Sequence, residues 1–320
     1  MTLLSIIIAL VVEQIHSLPI QRVVRDPVAA MAARLENKFN DGGRTHGVIA
    51  WLIGAGFPAL GLFMTHFILA DAQPVLAFLL GVGVLYLTMG FRQFSHFFTD
   101  IQLALRSGEI DVARRLLAQW RGVSGDRLTT SEVARLSIEH ALLASHRHVF
   151  APLFWFAILG PAGALLYRLA QLLDELWGNP ATTIVAARED MVDMGEFSTF
   201  AKQVFAWLDW LPLRLTAAAF AVVGDFEDAV HCWRTQANRW PVGGSGILLA
   251  SGAGAIGVRL GLPVHDEVSG MGDFGDRPEL GLGEEADPEF MQSTVGLVWR
   301  SLVLGLAVLA LVWVSAWVGA

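Results

Sequence analysis

The chain has 320 residues, 54% of them hydrophobic and only 16% charged. Its mean hydropathy is +0.52. A soluble domain carries about 25% charged residues, so this balance points to a membrane protein with a modest extramembrane part. The net charge of −8 argues against nucleic acid, which needs a basic face. A single cysteine, Cys232, excludes a disulfide framework and a Cys-rich metal site, and reads as a small packing residue.

The elements follow in chain order. Residues 2–15 are apolar but short, without a basic leader or a cleavage site, and read as a short first span or membrane-inserted helix with Glu13 near one end. Segments 47–70, 74–91 and 295–319 reach the roughly 20 apolar residues of a span. Arg300 lies near the start of the last one, where its side chain can snorkel. Loop 16–46 holds Arg22, Arg25, Arg34, Lys38 and Arg44, and segment 92–148 holds eight arginines. Loop 71–73 holds no basic residue. The excess of Lys and Arg places 16–46 and 92–148 in the cytoplasm and makes Asp71-Ala72-Gln73 an external turn.

Segment 92–148 has helical periodicity, with a helix start near Thr130 and Glu132. Residues 149–177 break at Gly160-Pro161 into halves too short to span. The expected element is a hairpin that dips into the membrane and returns; a full crossing would flip the later topology. In 204–223, Pro212 is expected to start a helix flanked by Asp209 and Arg214. Residues 265–289 carry nine acidic side chains, one basic one (Arg277) and many glycines, and read as a disordered acidic linker. The expected fold is all-α: N-terminal spans over 1–91, a cytoplasmic helical segment over 92–148, a membrane-associated core over 149–263 with re-entrant or half-membrane helices, a flexible linker over 264–294 and a last span over 295–320.

The glycines of 241–263 lack the lysine of a phosphate loop and favour close helix packing. His140, His146 and His148 are close in sequence, but positions two apart do not share a helix face, so an interfacial polar cluster is preferred to a metal site. Asp174 and Arg214 end apolar helices, and a membrane-proximal charge needs a partner or water. The candidate binding residues are therefore Asp174, Arg214, Asp209, His146, Arg147 and His148 around one polar cavity. No catalytic residue, metal or cofactor is assigned. The lipid bilayer is the expected partner, nucleic acid is not, and a membrane or cytoplasmic protein partner stays open.

The runs LALRSGEIDVARRLL, SEVARLSIEHALL, APLFW, GPAGALLYRLAQLLD, WLPLRL, AVVGD and AGAIGVRLGLP occur in this order across most of residues 100–263. In that order they resemble the CobD/CbiB family of cobalamin-biosynthesis membrane proteins. The N-terminus MTLLSIIIALVVEQ, the LDWLPLRL block and the last span resemble its AmpE branch. The resemblance implies a multi-pass protein of the bacterial inner membrane. For the synthases it implies joining an aminopropanol (phosphate) unit to adenosylcobyric acid with ATP and magnesium. The chain departs from the synthase pattern. Leu143 to His148 stand where the synthases have E-N-T-x-D-G. Phe205-Ala206 replace an Asp pair, Asp209 replaces an Asn and Leu249 a Glu. Asp174 survives, with Gln171 for its neighbouring Asn. Magnesium needs oxygen ligands, so the reading drawn from these departures is a non-catalytic, AmpE-like regulatory or signalling protein that binds no ATP–magnesium. The alternative is a divergent adenosylcobinamide-phosphate synthase.

Overall fold

A computed structural model describes residues 2–15, 21–122, 127–178, 196–241, 243–264 and 277–318. The described residues are almost entirely helical: α1 (Thr2–Ile15), α2 (Asp26–Phe39), α3 (Arg44–Trp51), α4 (Phe57–Ala72), α5 (Pro74–Thr88), α6 (Phe91–Arg106) and α7 (Ile110–Arg121). Then come α8 (Thr130–Ser145), α9 (Ala151–Leu159), α10 (Pro161–Gly178), α11 (Thr199–Val223), α12 (Phe226–Gln236), α13 (Ser245–Ile256) and α14 (Pro288–Val318). Two short strands, β1 (Val258–Arg259) and β2 (Glu284–Glu285), pair in parallel with Val258 opposite Glu284.

Three π-helical segments, Gln21–Arg25, Leu52–Gly56 and His146–Phe150, lead into α2, α4 and α9. Each ends two residues before a proline: Pro27, Pro58 and Pro152. A proline ring inside an α-helix collides with the carbonyl four residues back. Here those carbonyls belong to Val23, Gly54 and His148, the middle residue of each π segment. The wider π turn gives the ring room, and the helix continues instead of breaking. Two uninterrupted runs result, Arg44–Ala72 and Thr130–Leu159, both long and apolar enough to cross a membrane, as are Thr199–Val223 and Pro288–Val312.

Several expectations change. The boundary drawn at 148/149 falls inside a continuous helix, because α8 flows through the π segment into α9. Loop 16–46 contains α2, which buries Ala32 and Leu35. The 74–91 segment yields a helix of only 15 residues, or about 22 Å at 1.5 Å per residue, against a bilayer core of about 30 Å. Pro212 lies inside α11 and does not start it. The carbonyl that this proline leaves without a backbone donor, that of Leu208, accepts the Trp155 indole N–H at 3.1 Å.

The break at Gly160 is as expected. Gly160 takes φ +64°, and α9 and α10 pack so tightly around the turn that a Cβ at Gly163 would lie 2.3 Å from the Trp155 carbonyl oxygen.

The acidic segment is corrected in its second half. Residues 277–287 are folded: Leu280 exchanges backbone hydrogen bonds with Leu260 at 2.7 and 2.9 Å, and Arg277 and Leu280 are buried. These long-range partners hold in place a sequence without periodicity of its own. Residues 265–276 lie outside the described residues.

The contacts divide the chain into two units, each assembled from two stretches. Unit 1 is Met1–Arg92 with Ala151–Asp209. Its core gathers Leu35, Trp51, Tyr167, Leu173, Trp177 and Phe197. Unit 2 is Gln93–Phe150 with Trp210–Ala320. Its core gathers Phe98, Ile101, Leu117, Ile138, Phe220 and Leu248. In unit 2 the glycine-rich α13 packs on α12, where a Cβ at Gly254 would meet the Asp228 carbonyl oxygen at 2.5 Å. This is the close packing that its composition predicts.

Replacing Trp155 by Phe strands the Leu208 carbonyl. The expected loss is about 1–3 kcal/mol, the penalty for an unpaired buried acceptor. Thermal unfolding of the purified protein in detergent checks it; an unchanged midpoint contradicts this role for Trp155.

Candidate functional site

The largest concentration of buried charge is on α8, in unit 2. Its start is fixed by a capping box: the Thr129 amide donates to the Glu132 carboxylate at 2.7 Å, and the Glu132 amide donates to Thr129 Oγ1 at 3.3 Å. From there Glu132, Arg135 and Glu139 follow at positions i, i+3 and i+7, one face of the helix. All three are buried.

Glu139, only 6% exposed, accepts the Gly261 amide at 2.9 Å on one oxygen and the Arg277 guanidinium on the other. Arg277 also lies over the Trp240 ring, 5.4 Å from its centre. Arg135 donates to the Pro263 carbonyl at 3.0 Å. Arg121 of α7 joins the cluster: burial holds its guanidinium below the ordinary arginine value, Glu139 opposes this and Arg277 adds to it. One carboxylate thus meets several guanidinium groups. Two features of the sequence mark this cluster, although neither yields a candidate residue by itself. One is the i, i+3, i+7 spacing of charges in α8; the other is the lone arginine in an acidic run.

The residues singled out from sequence fall in different places. His146, Arg147 and His148 occupy the π segment of unit 2. His146 Nδ1 lies 3.0 Å from Thr216 Oγ1. The Thr216 hydroxyl donates to the Pro212 carbonyl at 2.9 Å, so the imidazole is the donor in the first contact. His140 is apart from this pair, its ring edge-on to Trp120 at 4.4 Å. Arg214 spreads over the Trp210 ring, 4.2 Å from its centre, and donates to the Trp210 carbonyl at 2.9 Å. It does not flank a helix start.

Asp174 and Asp209 belong to unit 1. Asp209 accepts the Tyr167 hydroxyl at 2.7 Å. On α10 a ladder runs from Arg168 to Gln171 at 2.8 Å and from Gln171 to Glu175 at 3.0 Å. Asp174 Oδ1 and Lys202 Cε each come within 3.0 Å of the point where a side chain at Gly178 would begin. Asp174 belongs to unit 1 and Arg214 to unit 2.

Three of the positions at which the family resemblance leads one to expect oxygen ligands are apolar. Phe205 is packed in the core of unit 1 and Leu249 in that of unit 2, and Ala144 is buried. None offers an oxygen ligand. Among the described residues no three His, Cys, Asp or Glu side chains form a group that could hold a metal ion.

A multi-pass α-helical membrane protein with a charged, largely buried face on its eighth helix is the class that these features define. The family description "CobD/Cbib protein" matches residues 6–298, and the chain belongs to the CobD/CbiB family. It is 32% identical over 310 residues to "Cobalamin biosynthesis protein CobD" of Stutzerimonas stutzeri, covering 96% of each chain. The protein of the same description from Chromobacterium violaceum is 33% identical over 264 residues, 79% of this chain and 80% of that one. That from Citrobacter koseri is 25% identical over 277 residues, 82% and 80% of the two chains. No solved structure matches. These relatives favour the cobalamin reading over the regulatory one, and none of them supports the AmpE-like branch.

Glu139→Gln leaves Arg277 and its neighbours buried beside a neutral amide. The expected cost is about 3–5 kcal/mol, as for a broken buried ion pair. The double change Glu139→Leu with Arg277→Met recovers much of it, because both charges go together. Thermal unfolding of the three proteins checks the order; a double variant no more stable than Glu139→Gln contradicts it.

Proposed function

We propose that this chain acts in cobalamin biosynthesis as a divergent, membrane-bound adenosylcobinamide-phosphate synthase. The observation that carries the reading is the 32% identity to a cobalamin-biosynthesis protein across 96% of both chains. The reaction class comes from the family: an amide bond forms between a carboxylic acid of the corrinoid and an aminopropanol unit. On this reading the residues that bind substrate are drawn from Asp174, Asp209, Arg214, His146, Arg147 and His148. No step is assigned to ATP or magnesium, since Phe205, Leu249 and Ala144 fill the positions that would supply ligands.

That same substitution pattern favours a second reading, a non-catalytic AmpE-like regulator on the synthase scaffold. The two part cleanly in one assay. Purified protein is incubated with adenosylcobyric acid, aminopropanol phosphate, ATP and magnesium. Turnover above a no-protein control, lowered by Asp174→Ala, supports the synthase. A flat result supports the regulator.

The proposed location is the bacterial inner membrane, with 16–46 and the arginine-rich part of 92–148 facing the cytoplasm and Ala72 outside. The native thiol gives little background for testing this. Cys232 is buried, and loss of solvation, with Asp228 nearby, raises its pKa to about 11. Because the thiolate is the reactive form, Cys232 should resist maleimide at neutral pH until the protein unfolds. Cysteines placed at Arg115 and Ala72 should label from opposite sides of sealed vesicles. Labelling from the same side overturns this topology.

A further inference from the structure

Unit 1 meets the membrane unevenly. Among its described residues the run Arg44–Ala72 is long enough to cross a bilayer, while Thr2–Ile15 and Pro74–Thr88 are shorter apolar helices. The tight turn at Gln73 gives α4 and α5 a common end, and the two helices pack against each other from there. Counted from this turn at 1.5 Å per residue, α5 ends with Thr88 after about 22 Å. The run on the other side of the turn still exposes an apolar side chain at Ile49, about 36 Å away. Its exposed apolar side chains, from Ile68 back to Ile49, cover about 29 Å, close to a bilayer core of about 30 Å. On α5 they extend only from Val75 to Leu87, about 18 Å.

α1 lengthens this short edge only a little. It packs on α5, with Ser5 Oγ 3.8 Å from the point where a side chain at Gly81, near the middle of α5, would begin. From Ser5 the helix runs about 15 Å to its end at Ile15. Gly81 lies about 12 Å from the turn, so the edge ends no more than about 27 Å from it, about 9 Å short of Ile49. Beyond Thr88 the sequence soon reaches Arg92, and a charge at membrane depth is costly. Leu4, Ile7 and Val11 of α1 and Val75, Leu79 and Leu87 of α5 are all exposed. Lipid must cover them, yet it cannot keep its full thickness there without also covering the polar residues that follow.

We propose that the α1–α5 edge of unit 1 draws the bilayer thin, so that water meets the protein near Thr88, roughly 10 Å closer to the α4–α5 turn than it does along α4. The partner of this surface is lipid with short or easily compressed acyl chains. A bilayer adapts to a short apolar segment by thinning beside it, at a modest cost for each ångström. The run through α4 matches the unperturbed bilayer, so the thinning is confined to one side of the unit. The proposal holds for either reading of the function and does not depend on which side of the membrane the turn faces.

The test compares two positions at the same height. Leu60 on α4 and Leu87 on α5 both lie about 20 Å from the turn, and both are exposed, so a spin label at either leaves the core of the unit intact. The native Cys232 is buried and stays unlabelled. Single cysteines at the two positions are labelled in the full chain, placed in dioleoyl-phosphatidylcholine nanodiscs, and probed for collisions with oxygen, which concentrates in the bilayer core, and with a water-soluble nickel chelate. The ratio of chelate to oxygen collisions should be severalfold higher at Leu87 than at Leu60. Equal ratios at the two positions, whether low or high, overturn the proposal. So does a label at Leu87 that neither reagent reaches, which would mean that protein, such as a second copy of the chain, covers the edge. A second measurement follows thermal unfolding in phosphatidylcholines of graded chain length, from dimyristoleoyl to dieicosenoyl. The midpoint should be highest in the shorter chains; a maximum at dioleoyl or longer, or a flat profile, contradicts the thinned edge.

Discussion

Burying a carboxylate in an apolar helix bundle is costly unless the protein supplies the hydrogen bonds that water would have made. Glu139 meets that condition with partners drawn from far along the chain. Its two oxygens are taken by the backbone of Gly261 and the side chain of Arg277, residues that follow it by 122 and 138 positions. Much of unit 2 depends on this one arrangement. The return of the chain after α13, the pairing of Leu260 with Leu280 and the short parallel strands lie within a few residues of the carboxylate's partners. Hydrophobic burial alone does not set that register, because it is indifferent to a shift of one residue in an irregular segment. A charge-assisted bond is not.

The long helices show a second constraint, the handling of proline. Pro27, Pro58 and Pro152 each follow a π segment, whose wider turn accommodates the ring. Pro212 has no such segment, and the carbonyl it orphans is satisfied from outside by Trp155. The first solution is local and the second tertiary. The π segment His146–Phe150 also sets the stagger of His146, Arg147 and His148, so the position of His146 against Thr216 depends on a proline six residues later.

Much of the architecture was legible because its causes are local. Apolar length marks 47–70 and 295–319, and the Gly160-Pro161 pair marks the α9–α10 hairpin with a backbone angle that glycine adopts readily. What escaped has distant causes. Pro212 reads as a helix start until Trp155 is known to face Leu208. Arg277 reads as one basic residue in a solvated acidic run until Glu139 is known to lie beneath it. The candidate site was legible only in part. Asp209 and His146 do have specific partners, Tyr167 and Thr216. Asp174 lies in unit 1 and Arg214 in unit 2, a division that nothing in a linear pattern marks.

Each unit is built from two separated stretches, with the chain passing between them at 92/93, 150/151 and 209/210. This has a consequence for synthesis. When the ribosome has made the first 92 residues, unit 1 still lacks α10, which supplies Tyr167, Leu173 and Trp177 to its core. Unit 2 begins before unit 1 is finished and cannot close until the chain beyond Arg277 emerges, since the guanidinium that bonds to Glu139 does not exist before then. Neither half can mature by simple N-to-C succession, as domains usually do. Until Arg277 is made, 138 residues later, Glu139 is a carboxylate waiting for its bonded counter-ion, and a chain stopped before Arg277 leaves that charge without the arginine that holds it.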